Sequence, residues 1–240
     1  GDELVEMFRN QAETLAFVHF DIQPSWLAPF GAWLFHKARM REPLAQHDGI
    51  KKIAFTGETT TGRLIMQYAS ENLIPMTLEL GGNDPAIVLA DVEPSAVAKK
   101  LFWGAFENCG QVCSAIKRLY VPENKYSDFL EAMAAVAAGT KVGNGLDDTT
   151  QIGPINNRLQ FERVADLVDD ARQNGARVVT GGARIGDRGY FYSPTIIGDV
   201  PDGTRIVDEE QFGPALPVIP YADLDDAVER ANTTHFGLSG

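Results

Sequence analysis

The alternation of apolar strand segments with amphipathic helices is the feature that most restricts the fold. Residues 85–90 (PAIVLA) are typical of a buried strand, residues 95–106 of a helix with one apolar face, and residues 117–121 of a further strand. The same alternation returns between residues 161 and 232, with strands predicted at residues 177–180 and 215–221. Parallel neighbours need a crossover connection, usually a helix. The sequence therefore predicts an α/β fold with mainly parallel sheets.

Composition narrows the classes of partner and compartment. A hydrophobic fraction of 44% in 240 residues is enough for a substantial core. The net charge of −12 disfavours nucleic acid and anionic membranes as partners. Residues 14–36 are apolar but broken by Asp21, Pro24 and Pro29, so no membrane span is predicted, and the N-terminal residues do not resemble a secretory signal. We expect a cytoplasmic protein with free thiols.

The two cysteines, Cys109 and Cys113, are separated by three residues. None of the four histidines shows paired ligand spacing with them, so no metal site is predicted. Cys109 is interpreted as a small buried residue.

One carboxylate and one thiol each lie beside glycine, in Leu78-Glu79-Leu80-Gly81-Gly82 and Gly110-Gln111-Val112-Cys113. A cysteine thiolate attacks an aldehyde, and the adduct can lose hydride to a nicotinamide. Glu79, between two leucines, is expected in an apolar environment that suits a general base. From spacing alone, a hydrogen-bonded structural glutamate and a core cysteine are the commoner readings.

A glycine-bracketed loop, Gly57 to Gly62, follows a predicted strand at residues 51–56 and precedes a predicted helix at residues 63–70. Backbone N–H groups at such a helix start face anions. An ordinary strand-to-helix turn would give the same pattern.

Residues 76–85 (MTLELGGNDP) and 106–117 (FENCGQVCSAIK) resemble the two signature segments of the aldehyde dehydrogenase superfamily. Residues 208–214 (DEEQFGP) are similar to its segment whose glutamate holds the nicotinamide ribose, and residues 55–63 (FTGETTTGR) to its diphosphate loop, where the family usually has a small hydroxyl residue instead of Glu58. The match runs from about residue 41 to 240.

The resemblance implies an oxidoreductase that converts an aldehyde to a carboxylate with NAD, or with NADP as the alternative, through a thiohemiacetal and a thioester. Cys113 would be the nucleophile and Glu79 the base. The implied cofactor contacts are Gly57, Glu58, Gly62, Leu80, Glu210 and Phe212. A turn ended by Gly213-Pro214 would account for the last two without a ligand.

The predicted domains are an unassigned segment at residues 1–40, in which residues 4–18 favour a helix, a remnant of a Rossmann-like dinucleotide-binding domain at 41–79, and a catalytic domain at 80–240 shortened at its C-terminus. By resemblance, the oxyanion-site asparagine and a ribose-contacting lysine are missing, so the activity of this chain is a separate question from its family. A homo-oligomer is expected.

Two alternative functions stay open at this point. One is a non-catalytic remnant or one part of a split protein of the family. The other is a thiol esterase that uses Cys113 and Glu79 without a cofactor.

Overall fold

The computed structural model describes the strand Ala16–Phe17, residues 45–201 and residues 203–240. The chain divides into two compact units, of which the first ends at Gly81 and the second begins at Gly82. The assignment of cofactor binding to one domain and catalysis to the other stays a prediction.

In the part of the chain that the structure describes, the first unit contains a parallel three-stranded sheet and a crossover helix. Its elements are β1 (Ala16–Phe17), β2 (Ile53–Thr56), α1 (Thr59–Ser70) and β3 (Met76–Glu79). The sheet order is β1-β2-β3, with both pairs parallel, so α1 is the crossover between β2 and β3. Apolar side chains of β2 and α1, including Phe55 and Ile65, are buried in a small core.

The second unit holds a five-stranded sheet and the remaining helices. Its elements in chain order are β4 (Pro85–Ile87), α2 (Pro94–Phe106), β5 (Arg118–Pro122), α3 (Tyr126–Ala138), α4 (Arg158–Gln173), β6 (Arg177–Thr180), β7 (Thr195–Gly198), α5 (Arg205–Asp208), β8 (Ala215–Tyr221) and α6 (Leu224–Ala231). A short 3₁₀ turn at Glu107–Gly110 follows α2, and another at Glu123–Lys125 precedes α3.

The strand order of the larger sheet is β4-β5-β8-β7-β6. Every pair is parallel except β6 with β7, which is antiparallel and irregular between Val178 and Thr180. The inner strand β5 is buried along its whole length, as expected for a parallel strand covered on both faces. The larger core gathers side chains from this sheet and from α2, α3 and α4.

The predicted α/β fold with mainly parallel sheets is confirmed, and several boundaries differ. The strand predicted at residues 85–90 ends at Ile87. Helix α1 begins at Thr59, four residues before the predicted start, because the Glu58 side chain caps it. The helix predicted at residues 4–18 is wrong at Ala16–Phe17, which pair with β2; its other residues lie outside the described ones.

Within the described residues, no helix is both long and apolar enough to cross a membrane. That part of the chain also has no group of three or more His, Cys, Asp or Glu side chains placed to hold a metal ion.

Candidate active site

A left-handed backbone turn carries the chain from α2 to the predicted nucleophile. Asn108, Cys109 and Gly110 all have positive φ, at 49°, 61° and 70°. A Cβ atom on Gly110 would lie 2.3 Å from the carbonyl oxygen of Gly213. The cysteine segment and the segment that carries Glu210 therefore touch backbone to backbone.

Cys113 is partly exposed and lies in a turn, where the N–H of Ala115 donates to the carbonyl of Val112 at 3.1 Å. Cys109 is only 1% exposed, and burial raises the pKa of its thiol to about 12. Both thiols are free. The interpretation of Cys109 as a buried residue is confirmed, and Cys113 is the thiol that a reagent in solution can reach.

Lys117 lies beneath the Cys113 turn, with a side chain that is 2% exposed. Its ammonium donates to the carbonyl oxygens of Val112 and Cys113, both at 2.9 Å. Burial lowers the pKa of Lys117, whereas the negative charge of Glu210 acts to raise it. Sequence reasoning assigned nothing to this residue; the signal available was a lysine opening an apolar strand.

Glu210 lies near the same ammonium, with 3.8 Å between Glu210 Oε1 and Lys117 Nζ. The same oxygen accepts a hydrogen bond from the backbone N–H of Gly82 at 3.2 Å. Burial raises the pKa of Glu210, and the hydrogen bond from Gly82 opposes that shift. Glu210 thus joins the segment after Gly81 to the Cys113 turn.

Phe212, two residues further on, has a left-handed backbone with φ 46°. The side-chain amide of Gln160 donates to its carbonyl oxygen at 2.9 Å and to that of Gln211 at 2.7 Å. The turn around Phe212 is therefore fixed by contacts with α4 before any ligand is considered.

Gly82 lies against the nucleophile segment. A Cβ atom at this position would lie 3.0 Å from the carbonyl oxygen of Cys113. The next residues are buried: the Asn83 amide donates to the carbonyl of Val207 at 2.7 Å, and the Asp84 carboxylate accepts hydrogen bonds from Ser239. A side chain at position 82 would crowd the Asp84 carboxylate, 2.8 Å from the Cβ position, as well as the Cys113 backbone, so glycine allows this close approach.

Glu79 belongs to the first unit and ends β3 with an exposed side chain. The expectation that Leu78 and Leu80 enclose it is wrong, because successive side chains of a strand point to opposite faces. The role of Glu79 as a base therefore rests on the family resemblance alone and stays a prediction.

The glycine-bracketed loop is part loop and part helix. Gly62 lies inside α1, and a Cβ there would lie 2.7 Å from Leu80 Cδ2, so this glycine permits close packing of helix and strand. At Gly57, a Cβ would lie 2.7 Å from the ring of Phe55. The structure thus brings Gly62 and Leu80 together and gives Gly57 a packing role.

Glu58 occupies the helix start that the sequence offered to a diphosphate. Its carboxylate accepts from the N–H groups of Thr60 at 2.8 Å and Thr61 at 3.0 Å. A phosphate would compete with this carboxylate for the same donors, so the N-terminus of α1 does not fit the diphosphate as it stands. Glu210 does fit a nicotinamide nucleoside, since a half-buried carboxylate accepts well from ribose hydroxyls.

Comparison with known proteins agrees with the sequence motifs. The sequence model described as the aldehyde dehydrogenase family matches residues 34–240. A mitochondrial aldehyde dehydrogenase of Leishmania tarentolae is 43% identical over 197 residues, which are 82% of this chain and 40% of that protein. A probable aldehyde dehydrogenase of a Pseudomonas species is 42% identical over 195 residues, 81% of this chain and 40% of the relative.

Solved structures give the same answer. The NAD+ complex of an aldehyde dehydrogenase from Bacillus cereus is 38% identical, with a TM-score of 0.78, over 81% of this chain and 40% of that one. A mutant of aldehyde dehydrogenase C from Pseudomonas syringae, in complex with NAD+ and octanal, is 32% identical, with a TM-score of 0.81, over 93% of this chain and 50% of the other. This chain thus spans about 40% of the length of the curated relatives it matches. The chain belongs to the aldehyde dehydrogenase family.

Proposed function

We propose that the protein oxidises an aldehyde to a carboxylate with a nicotinamide cofactor, and that Cys113 is the nucleophile. The observation that carries the proposal is the position of Cys113: an accessible thiol on a turn held by Lys117, with Glu210 3.8 Å from the same ammonium. The family of the chain supplies the reaction class.

In this proposal the Cys113 sulfur attacks the carbonyl carbon and forms a thiohemiacetal. The bound cofactor supplies the hydride acceptor. Loss of hydride converts the thiohemiacetal into a thioester on Cys113, and attack of water on that thioester releases the carboxylate and the thiol. Glu79 would accept the proton from this water.

Glu210 and Phe212 would hold the nicotinamide nucleoside, with the Glu210 carboxylate accepting from ribose hydroxyls. Gly57, Gly62 and Leu80 would shape the first unit, where Gly62 packs against Leu80. A diphosphate would reach the N–H groups at the start of α1 only after the Glu58 carboxylate had given up its hydrogen bonds to Thr60 and Thr61. We propose NAD as the cofactor and NADP as the alternative, since structures of relatives include an NAD+ complex and an enzyme described as NADP-dependent.

The substrate would be a small aldehyde. One structural relative is bound to octanal and another is described as lactaldehyde dehydrogenase, so aliphatic aldehydes are the class to test first.

Homo-oligomer formation stays a prediction. So does the cytoplasmic location, and one relative is described as mitochondrial.

The test is the appearance of reduced cofactor when purified protein receives NAD+ and a short aliphatic aldehyde. We expect Cys113→Ala to lower the rate by roughly 10⁴-fold or more, because the reaction then lacks its nucleophile. Cys109→Ala is the matched control: this neighbouring thiol is 1% exposed and should be dispensable for turnover.

Unchanged turnover in Cys113→Ala would refute the assigned nucleophile. Absence of reduced cofactor in folded wild-type protein, together with no binding of NAD+ by calorimetry, would favour a non-catalytic member of the family. Turnover of an aryl ester without cofactor, lost in Cys113→Ala, would favour the esterase.

A further inference from the structure

Lys117 is a buried charged residue of this site that the proposed reaction leaves without a role. Its ammonium donates to three carbonyl oxygens of one turn: Val112 at 2.9 Å, Cys113 at 2.9 Å and Ala115 at 3.2 Å. These three bonds use all the donors of an ammonium. The turn that presents Cys113 is therefore built around the lysine.

The same ammonium also reaches the segment expected to hold the cofactor. Glu210 Oε1 lies 3.8 Å from Lys117 Nζ and accepts from the N–H of Gly82. Lys117 thus contacts both the Cys113 turn and the Glu210 carboxylate.

We propose that Lys117 is a positioning residue of the active site: held by the carbonyl oxygens of the Cys113 turn, its ammonium places a positive charge where it favours the Cys113 thiolate. This inference rests on the proposed role of Cys113 as nucleophile.

Two physical arguments support the charge. A buried ammonium without a partner is costly, and here three carbonyls and a carboxylate compensate it. The Lys117 ammonium lies 2.9 Å from the carbonyl oxygen of Cys113, and a positive charge this close to the residue attracts a negative charge on its sulfur. The thiolate is the reactive form of a cysteine.

A merely structural lysine would give the opposite result when replaced. Loss of the three hydrogen bonds would loosen the turn, expose Cys113 further and speed its modification. Loss of a charge that favours the thiolate would slow modification at neutral pH. The direction of the change in thiol reactivity therefore separates the two roles.

The experiment measures the rate of alkylation of Cys113 by iodoacetamide at neutral pH, followed by mass spectrometry of the full chain. We expect Lys117→Met, which keeps the length and removes the charge, to slow alkylation about threefold to tenfold. Lys117→Arg, which keeps the charge, should recover most of that loss. Thermal unfolding of each variant shows whether it is folded.

Lys125→Met is the matched control. Lys125 also donates to a backbone carbonyl, that of Val92 at 2.9 Å, and pairs with Glu93 at 3.0 Å, and it belongs to the turn before α3. Its replacement should leave the alkylation rate within about twofold of wild type, because the Lys125 charge pairs with Glu93 and belongs to the turn before α3.

A second measurement needs no mutation and keeps the proposal open to refutation if Lys117→Met does not fold. We expect the ratio of the iodoacetate rate to the iodoacetamide rate to be higher for Cys113 than for N-acetylcysteine, because a local ammonium attracts the anionic reagent. The net charge of −12 alone would lower this ratio.

The proposal is overturned if folded Lys117→Met reacts as fast as wild type or faster, if folded Lys117→Arg is as slow as Lys117→Met, or if the iodoacetate ratio does not exceed that of the free thiol. These results are independent of dehydrogenase turnover. A protein that fails to oxidise aldehydes but shows the expected alkylation rates would contradict the proposed function and leave the role of Lys117 in place.

Discussion

At the scale of the residue, Glu58 decides where α1 begins. Its carboxylate accepts hydrogen bonds from the N–H groups of Thr60 and Thr61 in the first turn, where a helix does not supply its own acceptors. Burial disfavours the charged form, but the hydrogen bonds from Thr60 and Thr61 and the charge of Arg63 together lower the pKa of Glu58. The charged form is therefore the one that stabilises the helix start.

We expect Glu58→Gln to lower the free energy of unfolding by about 0.5–1 kcal/mol at neutral pH, because the amide is a weaker cap than the carboxylate. A lowered folded pKa means that the contribution of Glu58 is present above the unfolded pKa and is lost as pH falls through the folded pKa. The difference between wild type and Glu58→Gln should therefore disappear in acid. Urea unfolding of both proteins at several pH values measures it, and a difference independent of pH would argue against the charged cap.

At the scale of the element, the cysteine turn and the Glu210 segment meet through glycine. Gly110 has φ 70°, and a Cβ there would lie 2.3 Å from the carbonyl oxygen of Gly213. On another side, a Cβ atom placed on Gly213 would lie 2.3 Å from Val164 Cγ2. The backbone of Gly213 is thus in contact with the turn after α2 on one side and with α4 on another.

We expect Gly110→Ala to destabilise the protein by about 2–4 kcal/mol, from the positive φ and from the overlap with the Gly213 backbone. Gly186→Ala is the matched control, since Gly186 has φ 67° and nothing within 4 Å of a Cβ atom, so only the φ cost of about 1 kcal/mol applies. Denaturant unfolding compares the two variants. Equal losses would show that the contact with Gly213 has no energetic role.

Local pattern predicted the elements well where a run of apolar residues has clear ends. The strands Arg177–Thr180 and Ala215–Tyr221 have the predicted bounds, because turn-forming and helical residues flank them. The start of α1 was wrong because glutamate is not among the usual N-cap residues. The contacts of Lys117 and Gly82 could not be predicted, since Gly82 meets Glu210 across 128 positions and no local pattern encodes such a pairing.

At the scale of the whole molecule, the two units have separate hydrophobic cores. The first core is small and centres on β2 and α1, with Phe55 and Ile65 buried in it. The second gathers apolar side chains from both faces of a five-stranded sheet. Residues 82–240, which contain Cys113, Lys117 and Glu210, have the size of an ordinary domain.

We therefore expect residues 82–240 expressed alone to fold, with a cooperative thermal transition and the alkylation rate of Cys113 seen in the full chain. Circular dichroism during heating, with iodoacetamide modification at neutral pH, measures both. A fragment that melts without a cooperative transition would show that its core depends on the first unit.

The contact between Gly110 and Gly213 also has a practical consequence for engineering. Saturation libraries aimed at substrate scope usually vary the residues nearest the nucleophile. At Gly110 and Gly213, we expect nearly every substitution to prevent correct folding. Diversity is better placed at Val112, whose partly exposed side chain can change without entering the space between the two backbones.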